Sequence, residues 1–153
     1  MEITLSQKER LLLEDQKSHE QICIEKYNKY ANQAQDSQLK QIFRANGQQE
    51  QSHLNTINQL LAGKLPDMNQ QQSQSSAQDT GKSQPVPGGW SDKDMCSDVL
   101  MTEKYVSGTY NTAIFEFRDT NVRDILNHIQ KEEQKHGEAV FQYMQSKGMY
   151  QVQ

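Results

Sequence analysis

Two short motifs place a carboxylate and an imidazole three residues apart. They are Glu50-Gln51-Ser52-His53 and Glu133-Gln134-Lys135-His136. Because residues i and i+3 share one face of a helix, each motif can supply two ligands to one metal ion. Another glutamate stands 30 residues before each motif. A single Glu-x-x-His motif is weak evidence, but two copies at matching spacing predict six metal ligands: Glu20, Glu50, His53, Glu103, Glu133 and His136.

The two halves of the chain are related as an internal repeat with an offset of 83 residues, for example from Glu20 to Glu103. The same offset carries Tyr27 onto Tyr110 and Asp36 onto Asp119. In the first half, Glu20 lies 16 residues before Asp36 and Glu50 lies 14 residues after it. At about 1.5 Å per helical residue, both are about 21–24 Å from a turn at Asp36. The ligands of each half are therefore predicted to lie at one level.

The elements that must position these residues are two long segments nearly free of proline and glycine. Apolar residues recur in both segments at spacings of three and four, which indicates amphipathic helices. Each segment is interrupted once, at Asp36-Ser37 and at Asp119-Thr120, and such residues favour helix caps over helix interiors. Ser6-x-x-Glu9 and Ser91-x-x-Asp94 resemble capping boxes, and Gly148 suits a helix end. The prediction is all-α: one domain over residues 1–153, with helical hairpins at 5–62 and 91–148.

The linker between the hairpins, residues 63–90, contains all three prolines and much of the glycine, serine and glutamine. We expect it to be poorly ordered at its centre. If a two-fold axis relates the hairpins, the second and third helices run parallel and the linker crosses about 40 Å. Its residues can span about 90 Å when extended, so the length suffices.

A carboxylate in a bundle core costs several kcal/mol unless it is paired or bound to metal. Four glutamates and two histidines form the ligand set of di-iron and di-manganese carboxylate bundles, and oxygen and imidazole ligands favour two Fe or Mn ions over structural zinc. We predict that Glu50 and Glu133 bridge both metals. Each remaining glutamate and its nearest histidine would complete one metal, as Glu20 with His53 and Glu103 with His136.

Other residues are candidates for supporting this centre. Tyr27 and Tyr110 lie on the same helix faces as Glu20 and Glu103 and could hydrogen-bond the carboxylates. Glu132 and Gln49 precede the predicted bridging glutamates and could orient the histidines. An alternative remains open, in which the six residues form interhelical Glu–His pairs in a purely structural bundle. The tyrosines could likewise be ordinary core aromatics.

Composition narrows the remaining functions. The formal net charge of −4 and a pI of about 5.5 do not favour nucleic acid or an anionic membrane as partner. No apolar run approaches the roughly 20 residues that span a bilayer, and the N-terminal residues do not resemble a signal peptide. Cys23 and Cys96 are isolated, which favours a reduced cytoplasmic environment at synthesis and a place in the core for both. His19 and His128 lie off the apolar faces and are predicted at the surface.

The second half, DVLMTEKYVSGTYNTAIFEFRDTNVRDILNHIQKEEQKHGEAVFQYMQSKGMYQ, resembles the spore coat protein F family of endospore-forming bacteria. Its ending, EEQKHGEAVFQYMQSKGMY, carries the resemblance most specifically. The first half resembles the same domain more distantly. The resemblance implies a ferritin-like four-helix bundle, a location in the spore coat or sporulating cell, and other coat proteins as partners.

Two functions of different classes follow from these expectations. The first is a coat-associated protein with a two-metal centre, whose chemistry could be that of an oxidase, a peroxidase or a catalase, as in ferritin-like relatives such as rubrerythrins and manganese catalases. The second is a structural coat component with an empty or vestigial site. Iron storage in a shell is a third, weaker option. The sequence identifies no catalytic residue beyond the ligands and leaves a homodimer open.

Overall fold

A computed structural model describes residues 1–70 and 89–153. It contains four α-helices: α1 (Gln7–Gln33), α2 (Ser37–Leu61), α3 (Asp92–Glu116) and α4 (Thr120–Ser146). A 3₁₀ turn follows α2 at Met68–Gln70. Within the described ranges the only β-type pairing is an isolated bridge between Glu2 and Lys64. The prediction of an all-α four-helix bundle built from two hairpins is confirmed.

The helices begin where the sequence placed their caps. Ser6 and Ser91 open α1 and α3 with complete capping boxes, closed by Glu9 and Asp94. Asp36 and Asp119 cap α2 and α4 by accepting hydrogen bonds from backbone amides two residues ahead. These side chains satisfy amides that have no partner inside the helix, so they fix where each helix starts. Gly148 ends α4 with a φ of 69°, a value that glycine adopts without steric cost.

The two hairpins pack with α1 against α3 and α2 against α4. At one end of the bundle, the backbone amides of Gln35 and Asp36 donate to Asp92 at the start of α3. At the other end, Glu9 near the start of α1 pairs with Arg118 after α3. Helices α1 and α3 are therefore antiparallel, and α2 and α3 run parallel as predicted. The centre of the predicted linker, residues 71–88 with most of the glutamine-rich run, lies outside the described residues.

The apolar core is divided into two clusters. One contains Leu13, Ile57, Leu60, Phe117 and Leu126 among others, and lies toward the start of α1. The other contains Ala31, Leu39, Phe43, Met95 and Tyr143 among others, and lies toward the α1–α2 turn. The predicted ligands occupy the layer between the clusters. The hydrophobic effect thus stabilises both ends of the bundle, while the middle contains groups that oppose folding unless they are neutralised.

Glu9 shows how this fold satisfies a buried carboxylate. Its Oε1 accepts from the backbone amide and Nε of Arg118, and its Oε2 accepts from Nη2 of Arg118 and the backbone amide of Ser6. These hydrogen bonds, led by those from the Arg118 side chain, lower the pKa of Glu9 to about 2. Both oxygens of this carboxylate are occupied, which is the usual state of a buried charge.

No helix in the described part of the chain combines the length and the apolar character needed to cross a membrane.

Candidate metal centre

The structure brings all six predicted ligands together in the middle of the bundle. Each is at most 5 % exposed, and three of the glutamates are fully buried. Helices α1 and α3 each contribute one glutamate, while α2 and α4 each contribute a glutamate and a histidine. The i, i+3 spacing on α2 and α4 turns both members of each motif toward the same interior layer.

The six residues form two overlapping groups of four. In each group, the nitrogen and oxygen atoms that could act as ligands all lie within 4.8 Å of one another. The first group is Glu20, Glu50, His53 and Glu133, and the second is Glu50, Glu103, Glu133 and His136. Only Glu50 and Glu133 belong to both groups. This is the division of bridging and terminal residues that the sequence predicted.

The distances place the two shared glutamates between the two histidines. Glu50 presents Oε2 to Nδ1 of His53 at 3.1 Å and Oε1 to Nδ1 of His136 at 3.2 Å. Glu133 presents Oε1 to Nδ1 of His53 at 3.1 Å and Oε2 to Nδ1 of His136 at 3.4 Å. The imidazole rings stack with centroids 5.7 Å apart. Each shared carboxylate thus directs one oxygen toward each half of the centre, as a bridging ligand must.

Three oxygens of the centre are buried without a hydrogen-bond donor in the described structure: Oε2 of Glu20, Glu103 and Glu133. An unpartnered buried carboxylate oxygen is strongly unfavourable, and the contrast with Glu9 is plain. Either a proton on a neighbouring carboxyl or a cation can satisfy these atoms. The donor set, four carboxylates and two imidazoles converging on one layer, fits two divalent cations.

Two tyrosines bind the terminal glutamates across the interface between the hairpins. Tyr27 on α1 donates to Oε1 of Glu103 on α3, and Tyr110 on α3 donates to Oε1 of Glu20 on α1, both at 2.5 Å. Burial and the adjacent carboxylates raise the pKa of both phenols well above 10, so they remain proton donors. Each tyrosine therefore orients the carboxylate of the other hairpin. Asn46 also donates to the Tyr27 hydroxyl at 3.3 Å, whereas Tyr110 has Ile129 at the corresponding position of the repeat.

We predict that Tyr27→Phe and Tyr110→Phe each weaken metal binding about 10- to 100-fold, the usual loss when a ligand loses its supporting hydrogen bond. The ring and its packing are retained, so the helical content of both variants should match that of the wild type. Competition titrations with a chelator of known affinity measure the change. Tyr30→Phe is the matched control, because its hydroxyl binds Asp98 outside the centre. Unchanged affinity in both Tyr27→Phe and Tyr110→Phe would show that the phenols are only core aromatics.

Without metal, the centre is neutralised by protons. Desolvation and the neighbouring Glu20 raise the pKa of Glu50 well above its usual range. Desolvation and a hydrogen bond with Glu103 raise the pKa of Glu133 to about 8. Burial opposes charge on the histidines, but hydrogen bonds to the surrounding carboxylates outweigh it: the pKa of His53 is raised well above 6.5 and that of His136 to about 12.

The terminal glutamates shift in the opposite direction. Desolvation favours their neutral forms, but hydrogen bonds from the shared glutamates and the histidines outweigh it. The pKa of Glu20 is lowered, and that of Glu103 is lowered to about 2. At neutral pH the metal-free layer therefore contains two charged terminal carboxylates, two protonated shared carboxyls and two imidazolium ions. A proton on Glu50 or Glu133 also supplies a donor to the oxygens that otherwise have none.

The predicted orienting residues behave unequally. Nε2 of His53 lies 3.4 Å from Oε2 of Glu132, which leaves Nδ1 directed at the carboxylates. The other oxygen of Glu132 contacts the half-exposed His128, a contact that sequence reasoning missed because His128 lies off the apolar face. In the described structure, no hydrogen bond joins Gln49 to His136. A carboxylate on the outer nitrogen is the usual support for a metal-binding histidine, and here only His53 has one.

The cysteines lie outside both groups of four. Cys23 and Cys96 are buried with free thiols. Burial raises the pKa of Cys96 to about 12 and raises that of Cys23 further, in the field of the four glutamates. Both thiols are neutral at physiological pH, which fits the expectation that they are core residues, since metal binding requires the thiolate.

Comparison with known families identifies the second hairpin. Residues 91–153, which include α3, α4 and the C-terminal residues, match the Coat F domain. No curated protein and no solved structure matches the chain significantly. The resemblance seen in the sequence is therefore confirmed over the part that contains Glu103, Glu133 and His136.

Proposed function

We propose that this chain, whose residues 91–153 are a Coat F domain, is a spore coat protein that binds two iron or manganese ions in a ferritin-like bundle. The observation that supports this most directly is the pair of overlapping four-residue groups that share Glu50 and Glu133. The three buried oxygens without donors support it independently, because they are acceptor sites that two cations would use.

When bound, such a metal pair supplies redox chemistry toward oxygen or peroxide, or oxidation of Fe(II). The chain's own residues hold the centre and keep it dry. Glu50 and Glu133 would span both ions, while Glu20 with His53 and Glu103 with His136 would each complete one. The two tyrosines fix the terminal carboxylates, and the apolar clusters on either side exclude bulk water. No group outside the ligand set is placed as a proton donor to substrate, so the catalytic residues remain unassigned.

A purely structural coat component is the second candidate, and a specific observation favours it. With two protons on the shared glutamates and two on the histidines, the polar layer is neutral and internally hydrogen bonded without any cation. Buried ionic networks of this kind can specify how helices pair rather than bind a ligand. Partners under either proposal would be other coat proteins or a second copy of this chain.

Elemental analysis of protein purified without chelator separates the two candidates. We expect about two Fe or Mn ions per chain in the wild type and none in the Glu50→Ala, Glu133→Ala double variant. Glu9→Ala is the matched control, since Glu9 is the other buried acidic residue of the described structure; it should lower stability yet keep both ions. A wild type that remains free of metal after anaerobic reconstitution would instead establish the structural role.

Metal binding should release protons and tighten as pH rises. Glu50, Glu133, His53 and His136 all have raised pKa values in the metal-free protein, and each must lose its proton to become a ligand. Because the metal-free state holds more protons, raising pH favours the metal-bound state. We expect about four protons per two ions at pH 7 and about three at pH 9, above the pKa of Glu133. Indicator-dye titration in weak buffer measures this, and release of fewer than about two at pH 7 would refute the protonation pattern.

A further inference from the structure

The outer face of hairpin 2 has a groove that reaches the proposed centre. It lies between α3 and α4, has a volume of about 580 Å³, and includes Glu103 and Glu133 in its lining. This volume falls within the range of small-molecule sites and far exceeds the roughly 30 Å³ of a water molecule. The groove is thus larger than a route for water or peroxide alone requires.

The internal repeat shows that the groove belongs to one hairpin only. Ser107 and Gly137 line it, whereas the corresponding positions of hairpin 1 are Ile24 and Leu54. A Cβ atom added at Gly137 would lie 3.7 Å from Cδ1 of Leu100, so a methyl group fits there but a leucine side chain would fill the space. Small residues therefore open hairpin 2 where branched residues occupy hairpin 1.

The spacing of the helices enhances this difference. A Cβ atom at Gly47 on α2 would lie only 3.2 Å from Cβ of Tyr27, so glycine permits close approach of α1 and α2. The corresponding residue on α4 is Gln130, whose side chain bridges to the backbone oxygen of Ser107 at 2.8 Å. A glutamine between the helices keeps α3 and α4 apart at the level of the groove.

The two ends of the groove differ in polarity. Because α3 and α4 are antiparallel, Leu100 lies beside Phe141, and Tyr150 packs edge-on against Phe141 with ring centroids 5.0 Å apart. These residues form an apolar end. Seven residues along α3, about 10 Å away, Ser107 lies at the end near Glu133. A bound molecule would therefore place its polar group toward the centre and its hydrocarbon part against the aromatic rings.

Charge favours an anionic polar group. Lys104 lines the groove beside Glu103, and two divalent ions would add positive charge behind the glutamates. We propose, on the basis of the two-metal centre proposed above, that the groove binds a small organic acid with a hydrocarbon body of roughly six to eight carbon atoms, the length that about 10 Å accommodates at about 1.5 Å per C–C bond. Its carboxylate lies at the Ser107 end, toward the metal ions, and its chain lies along Leu100, Phe141 and Tyr150.

The test uses full-length protein loaded with Co²⁺, whose visible spectrum changes when a carboxylate enters the metal environment. Titration with acetate, butanoate, hexanoate and octanoate should give affinities that rise about two- to fourfold per added CH₂ group. Phe141→Ala should flatten this dependence, and Gly137→Leu should abolish it. Asn58→Ala is the matched control, because Asn58 corresponds to Phe141 in hairpin 1, and it should leave the dependence unchanged.

The outcomes separate this proposal from the one on which it rests. Failure of the wild type to bind Co²⁺ would overturn both. Stoichiometric Co²⁺ binding with affinities independent of chain length would overturn the groove assignment and leave the metal centre intact. The same conclusion would follow if Phe141→Ala kept the wild-type dependence. Phe141 lies outside both apolar clusters, so this variant tests the proposal even if Gly137→Leu fails to fold.

Discussion

Loading the wild type with two Mn²⁺ ions is expected to raise its unfolding temperature by about 10–20 °C, and the Glu50→Gln, Glu133→Gln double variant should show no such rise. A ligand present at 100 times its dissociation constant stabilises the folded state by about 2.7 kcal/mol per site, so two sites contribute about 5 kcal/mol. For a domain of this size each kcal/mol corresponds to about 2–4 °C. Thermal unfolding followed by circular dichroism, with and without metal, measures the difference.

The double variant carries its own control in the metal-free state. Glutamine has the shape of the protonated glutamic acid that occupies both positions at neutral pH, so the free energy of unfolding without metal should stay within about 1 kcal/mol of the wild type. Loss of the metal response can then be assigned to lost ligands and not to misfolding. An undiminished temperature rise in this variant would show that Glu50 and Glu133 are not the bridging residues.

The centre was predictable from sequence because helical geometry converts residue spacing into position. The Glu-x-x-His motifs specify a face, the apolar pattern shows that this face is interior, and the equal separations from Asp36 and Asp119 set the level. Each inference needs only the rise and period of the α-helix. The four caps were predictable for a related reason, since serine and aspartate satisfy free amides at helix starts wherever the helix later packs.

What the sequence left undetermined concerns contacts between elements. The positions of Tyr27 and Tyr110 indicated support for carboxylates, but that each serves the other hairpin depends on the packing of α1 against α3. The contact between His128 and Glu132 could not be anticipated, because His128 lies on a face that the pattern assigned to solvent. Gly137 attracts no notice as a single glycine and becomes informative only when Leu54 is recognised as its counterpart in an antiparallel pair.

The structure also explains why a chain with only 33 % hydrophobic residues can maintain a bundle. Apolar contacts are concentrated in two clusters at the ends, and the intervening layer is neutral in either state. Four protons can neutralise it without metal, and two cations can replace them. The fold thus persists while the occupant of the layer changes. A metal site that is preformed in this way differs from small zinc domains, which fold only when metal binds.

The terminal glutamates should respond to glutamine substitution in the opposite way from the shared pair. Glu20 and Glu103 carry the negative charges that balance the two imidazolium ions, as their lowered pKa values indicate. Removing one leaves a buried cation without its partner, a change that typically costs about 3–5 kcal/mol. We therefore expect Glu20→Gln and Glu103→Gln each to lower the metal-free free energy of unfolding by about that amount. Urea denaturation in the presence of EDTA measures it.

The repeat allows each comparison to be made twice within one chain. Glu20 and Glu103 are counterparts, as are Glu50 and Glu133, and all four are buried to nearly the same degree. Differences between the two pairs therefore report charge rather than burial or lost packing. Equal destabilisation by all four single variants would mean that every carboxylate is ionised in the metal-free protein. The protons that neutralise the layer would then reside elsewhere, and metal binding would release about two protons instead of four.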